Sequence, residues 1–177
     1  MKKLLIVASI VCAAAMSQAA TVNWGVSGVK ADGGGAPTSG WAVMAFYTEL
    51  GAGSSAIESA IAAGTAGTLA FETTTLVNSF GTGKVNAHDK DIAGITDTSK
   101  NYDFYFVVFN DADATKATDY AMVSAPNKAF SAIDAKFTAS GTFSASTPWQ
   151  PAGVPEPTSG LLMLLGVAGL ALRRRRA

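Results

Sequence analysis

Apolar and polar positions alternate through residues 21–28, with Val22, Trp24 and Val26 on one side and Asn23, Gly25 and Ser27 on the other. A period of two sends successive side chains to opposite faces, so this stretch predicts a half-buried β-strand. Residues 41–48 (WAVMAFYT) and 102–109 (YDFYFVVF) are instead apolar on both faces. Their β-branched and aromatic content favours strand over helix, and strands of this kind belong inside a sheet covered on both sides. Further strands are predicted at 68–77, 120–124 and 137–144. In the last, Phe137, Ala139 and Phe143 face one way, and Thr138, Ser140, Thr142 and Ser144 the other. Residues 55–63 alone read as a helix. Ser55 stands three residues before Glu58 in a capping-box pattern, Ile57 and Ile61 share a face, and Gly64 can close the end. At about two turns it needs a sheet to pack on. Clusters of Gly, Asp, Asn and Pro such as 33–37 separate the runs, which predicts an all-β, β-sandwich-like single domain with one short helix. Residues 147–153 (TPWQPAG) read as a linker that lets the domain stand clear of a membrane.

The two ends follow different patterns. Residues 1–19 read as a secretory signal peptide: Lys2 and Lys3 supply the positive start, 4–16 the apolar stretch, and Ser17, Gln18 and Ala19 a small-residue cleavage site, placing the cut between Ala19 and Ala20. Cys12 invites a lipoprotein reading, but Val11 before it is too bulky for that cleavage, so Cys12 is expected to leave with the signal. Near the other end stand Val154, Pro155, Glu156 and Pro157, then an apolar run at 160–172, then Arg173, Arg174, Arg175 and Arg176. The prolines hold the backbone extended, the shape a processing enzyme needs. The 12 residues of 161–172 rise only about 18 Å as a helix against a bilayer core of roughly 30 Å. Length alone leaves a buried core helix open. The terminal place, the lack of a polar face and the arginine stop favour a hydrophobic C-terminal membrane helix, with arginine stems reaching back to the interface. The arginines would stay in the cytoplasm and everything before the run would lie outside.

Together and in this order, the Val154-Pro155-Glu156-Pro157 motif, a short glycine-containing apolar run (Gly160, Gly166, Gly169) and the arginine cluster resemble the PEP-CTERM sorting signal of exported bacterial proteins. The resemblance covers 154–177 and does not reach the rest of the chain. It implies an exopolysaccharide-producing bacterium and an exosortase, a membrane-embedded cysteine protease or transpeptidase, that recognises Pro155, Glu156 and Pro157 at the outer face of the inner membrane. The enzyme would cut nearby and pass the protein to the cell exterior.

Charge changes once both ends are set aside. Lys and Arg number 13, as do Asp and Glu; without Lys2, Lys3 and the four arginines 7 cations remain, and without Glu156 12 acids, so the exported body 20–153 carries about −5. It has no basic stripe for nucleic acid and no cysteine for a disulfide or thiolate site. Candidate chemistry is sparse. His88 is the one histidine, next to Asp89 and near Asp91 in a stretch, 86–90, that reads as a polar loop; one histidine without cysteine leaves zinc short of ligands. Asp111, Asp113 and Asp119 alternate as oxygen ligands for Ca²⁺ can, yet Lys116 stands where a calcium loop turns on glycine and Met122 where it closes on glutamate, which favours a solvated hairpin loop. Trp24, Trp41 and Trp149 are sugar-stacking candidates, with Trp149 in the linker expected to be the most exposed, although most aromatics of a small β domain are core.

The expectation is therefore an exported, non-enzymatic cell-surface or extracellular-matrix protein without cofactor. Its partners would be signal peptidase, the export machinery, the exosortase, the inner membrane in transit and exopolysaccharide. The alternatives are an extracellular carbohydrate-binding module delivered the same way and, behind it, an exported hydrolase.

Overall fold

Every residue of Tyr102–Phe109 is buried, and the two faces of this strand bury into different clusters. Tyr102, Phe104, Phe106 and Val108 pack with Trp24 and Phe137; Tyr105, Val107 and Phe109 pack with Ile57 and Ile61. A strand apolar on both faces thus requires a layer on each side, and the computed structural model, which describes residues 19–153, supplies both. In chain order the strands are β1 (Ala20–Val29), β2 (Ala42–Glu49), β3 (Glu72–Thr75), β4 (Val77–Ser79), β5 (Thr82–Ile92), β6 (Tyr102–Phe109), β7 (Asp119–Lys128), β8 (Lys136–Thr142) and β9 (Trp149–Pro151), with one α-helix, α1 (Ser55–Ala62), between β2 and β3.

The five-stranded sheet runs β3-β2-β6-β7-β9, antiparallel throughout. The four-stranded sheet runs β4-β5-β1-β8, with β1 and β8 parallel and the other pairs antiparallel. The two stack through the Trp24, Phe106 and Phe137 cluster as a sandwich. Trp24 lies parallel to Phe106, centroids 5.7 Å apart at 14°, and edge-on to Phe71 at 6.1 Å. β2 divides its side chains as β6 does, Val43 and Ala45 towards the opposite sheet, Met44 and Phe46 towards α1.

Helix α1 forms the third layer through Ile57 and Ile61, both buried, and each contributes about 1.5–3 kcal/mol by leaving water. Its cap lies one residue earlier than predicted. Ser54, not Ser55, is the N-cap, and its hydroxyl donates to the Glu58 carboxylate at 2.6 Å. The predicted stop holds: Gly64 adopts φ 68° and donates its N–H to the Ile61 carbonyl at 2.9 Å.

Three expectations differ from the structure. The strand predicted at 68–77 is broken, since Leu76 turns inward and is buried between β3 and β4. Residues 86–90, read as a polar loop, belong to β5, the longest strand, paired with β1 from Ala20↔Ile92 to Val29↔Gly83. Residues 147–153, read as a linker, carry β9, which pairs Trp149 with Ala121 and Pro151 with Asp119. Residues 1–18 of the stretch 1–19 read as a signal peptide, and the whole of 154–177, read as the sorting segment, lie outside the described residues.

Candidate functional site

Because β9 is part of the fold, the chain is held down to its last described residues. Ala152 is buried among the α1-side residues and donates its N–H to the Thr118 carbonyl at 2.9 Å. At Gly153 a side chain would begin 3.0 Å from the Ala62 Cα and 3.1 Å from the Ala62 carbonyl oxygen, closer than real Cβ atoms tolerate without displacement, so glycine lets the backbone pass against the end of α1. Trp149 pins the strand from the other side. Its indole N–H donates to the Lys30 carbonyl at 3.2 Å and its ring meets Trp41 edge-on at 5.6 Å. Val154, Pro155, Glu156 and Pro157 therefore follow a fixed point on the folded body, with no free spacer between.

A cavity of about 410 Å³ lies on the α1 side of the five-stranded sheet. Ala42, Met44, Ile61 and Phe109 form its apolar floor, and its walls are the turn 64–68 after α1 and the turn 112–115 after β6. Two of the lining hydroxyls are engaged, Thr68 donating to the Thr65 carbonyl at 2.8 Å and Thr115 to the Asp113 carboxylate at 2.7 Å. These residues come from separate stretches of chain that no spacing rule joins, so sequence reasoning does not find them.

The acidic trio is a self-satisfied turn. Asp111 accepts the Asp113 N–H at 2.8 Å; Asp113 accepts the N–H and hydroxyl of Thr115 and pairs with Lys116 at 3.1 Å. Those donors hold the Asp113 carboxyl below the usual carboxylate range, the Thr115 hydroxyl contributing most. Asp119 points elsewhere, accepting from Asn110 and Thr118. Among the described residues no group of three or more metal-ligating side chains converges.

His88 and Asp89 are neighbours on a strand and so face opposite ways. His88 leans on Trp24, ring centroids 4.9 Å apart, while Asp89 on the outer face accepts from Asn23 at 2.6 Å and from Lys136 at 3.1 Å. These contacts, that of Asn23 first, lower its pKa. Asp91 accepts the Thr21 hydroxyl at 2.7 Å on the same outer face. His88 and the carboxylates of Asp89 and Asp91 thus lie on opposite faces of β5. Nor are the tryptophans a platform: Trp24 is fully buried, and Trp41 and Trp149 are half-buried against one another, which corrects the expectation that Trp149 is the exposed one.

At the N-terminal end Ala19 precedes β1, and Ala20 is already buried, its N–H donating to the Ile95 carbonyl at 3.3 Å. The motif Val154 to Pro157 and the four arginines lie outside the described residues. Among the described residues no helix is long and apolar enough to cross a membrane.

The described body is held as far as Gly153, and the segment that begins there in sequence is 153–176. That segment is what comparison with known proteins identifies: residues 153–176 match the family described as the PEP-CTERM protein-sorting motif. The motif implies an exported, membrane-anchored precursor processed by an exosortase. No curated protein and no solved structure matches the chain.

Proposed function

We propose that the chain is the precursor of a non-enzymatic protein of the bacterial cell surface or extracellular matrix. Residues 1–19 direct export and are removed between Ala19 and Ala20. The segment 154–177 holds the precursor in the inner membrane until an exosortase cuts near Pro155, Glu156 and Pro157, and the sandwich then leaves as cargo, in company with exopolysaccharide. The observation that carries this reading is the match of residues 153–176 to the PEP-CTERM protein-sorting motif. A glycan-binding role rested on Trp149 as a free aromatic, and Trp149 is half-buried against Trp41. Catalysis rested on His88 with a carboxylate, and the strand turns Asp89 away from it.

The test is Glu156→Ala in the native host, followed by fractionation. The precursor should accumulate in the membrane and its extracellular form should fall at least several-fold. Release at the unaltered rate would refute the sorting role.

A further inference from the structure

The turn between β4 and β5 carries the most exposed large apolar side chain among the described residues. Phe80 is fully exposed, and its φ is 53°, with Gly81 after it at 73°. Positive φ at both central residues is the pattern of a type I′ hairpin turn, where Asn followed by Gly is preferred and a bulky aromatic is an outlier. Neither packing nor backbone geometry accounts for phenylalanine here, so its ring points to a contact outside the chain. We propose that Phe80 is the membrane-facing tip of the precursor: while the sorting segment tethers the body to the inner membrane, this hairpin sets its ring into the outer surface of the same bilayer.

Placement argues for a lipid surface as the occupant. Lys30 links the hairpin to the last strand, its ammonium donating to the Gly81 carbonyl at 2.6 Å and its own carbonyl accepting the Trp149 indole N–H at 3.2 Å. β9 then runs from Trp149 opposite Ala121 to Pro151 opposite Asp119, towards the turn between β6 and β7. The segment before β2 joins that turn to the hairpin, since Ala42 donates its N–H to the Asp111 carbonyl and the Ser39 hydroxyl accepts the Asn78 N–H. Hairpin and chain exit thus share one end of the sandwich. In sequence the apolar run 160–172 begins seven residues after Gly153, a reach of at most roughly 25 Å even fully extended. The 11 residues of β5 cover about 35 Å. The tether of a membrane-anchored precursor is therefore shorter than the sandwich is long, and the end that bears Phe80 stays nearest the bilayer.

The contact is apolar rather than electrostatic. At this end Lys30, Lys84 and Lys116 are matched by Asp32, Asp111, Asp113 and Asp119, which gives anionic headgroups no net attraction. An aromatic ring on a narrow turn suits the boundary between headgroups and acyl chains. The proposal rests on the anchored-precursor reading and adds to it the face that the body turns to the membrane.

The experiment uses the full chain with Cys12→Ser, so that one introduced thiol is the only one. It is reconstituted at low protein-to-lipid ratio in vesicles of phosphatidylethanolamine and phosphatidylglycerol that contain a nitroxide-headgroup lipid. A fluorophore on Val77→Cys, exposed on β4, reports the hairpin, and one on Ile133→Cys, exposed in the turn before β8 at the opposite end of the four-stranded sheet, reports the far end. Quenching at 77 should exceed that at 133 by about threefold or more. Phe80→Asn, which suits the turn, should at least halve the quenching at 77 while the melting temperature holds or rises. Equal quenching at the two positions, or quenching at 77 unchanged by Phe80→Asn, would overturn the proposal. Quenching at 77 that appears only when the protein is crowded would assign Phe80 to a second copy of the chain and overturn it too. Flotation separates the two readings: a chain that does not float with the vesicles refutes the anchor and this proposal with it, whereas a floating chain with equal quenching refutes this proposal alone.

Discussion

Asp103 is the one charged side chain among the buried described residues, and it is held by the backbone alone. One carboxylate oxygen accepts the Gly51 N–H at 3.0 Å and the other the Asn127 N–H at 2.7 Å, tying the turn after β2 to the end of β7 across β6. Asp103→Ala would leave two donors without their acceptor and should cost roughly 2–3 kcal/mol in urea unfolding, with Asp103→Asn costing less because one acceptor survives. A change within 0.5 kcal/mol would mean that water replaces the carboxylate. Asp89, Asp97 and Asp113, all on the surface, have lowered carboxyl pKa values, chiefly through hydrogen bonds from Asn23, the Ser99 hydroxyl and the Thr115 hydroxyl respectively. A depressed carboxyl stabilises the fold above its ordinary value of about 4 and loses that contribution as pH falls through the lowered folded-state value. The melting temperature should therefore be level from pH 7 to 5 and fall below about pH 4. A fall already between pH 7 and 5 would require a different titrating group.

Strands that bury both faces announce themselves in sequence, and β2 and β6 are legible for that reason. β1 and β8 are legible from clean alternation. The strand that hides is β5, because its inward positions are few, with Gly83, Val85 and Ile92 buried, while its outer face carries Asp89 and Asp91, engaged by Thr21 and Asn23 of β1 and Lys136 of β8. Its pairing partners, not its own composition, make it a strand. β9 hides differently: Pro151 and the small residues around it read as a spacer, and only the fold shows that Trp149 reaches Lys30 and Trp41. Loss of those contacts should loosen β9 before anything else. Trp149→Ala is expected to raise the rate of proteolytic cutting within 147–153 about tenfold or more while the sandwich melts cooperatively, as measured by limited proteolysis and mass mapping. Unchanged cutting would show that Ala152 and Gly153 suffice to hold the strand. As for the candidate site, the sorting motif is local and so readable from spacing, whereas the cavity depends on residues brought together by α1 docking on β2 and β6.

At the scale of the molecule, the described body opens with a strand at Ala20 and is held as far as Ala152 and Gly153, where the sorting motif begins. The body carries about −5. The central claim is that the tail is an address removed at the membrane while the body travels on. The intact mass of the form recovered outside the cell tests this most directly. The account predicts a species that begins at Ala20 and lacks the apolar run and Arg173 to Arg176. An extracellular species that still carries those arginines would contradict it.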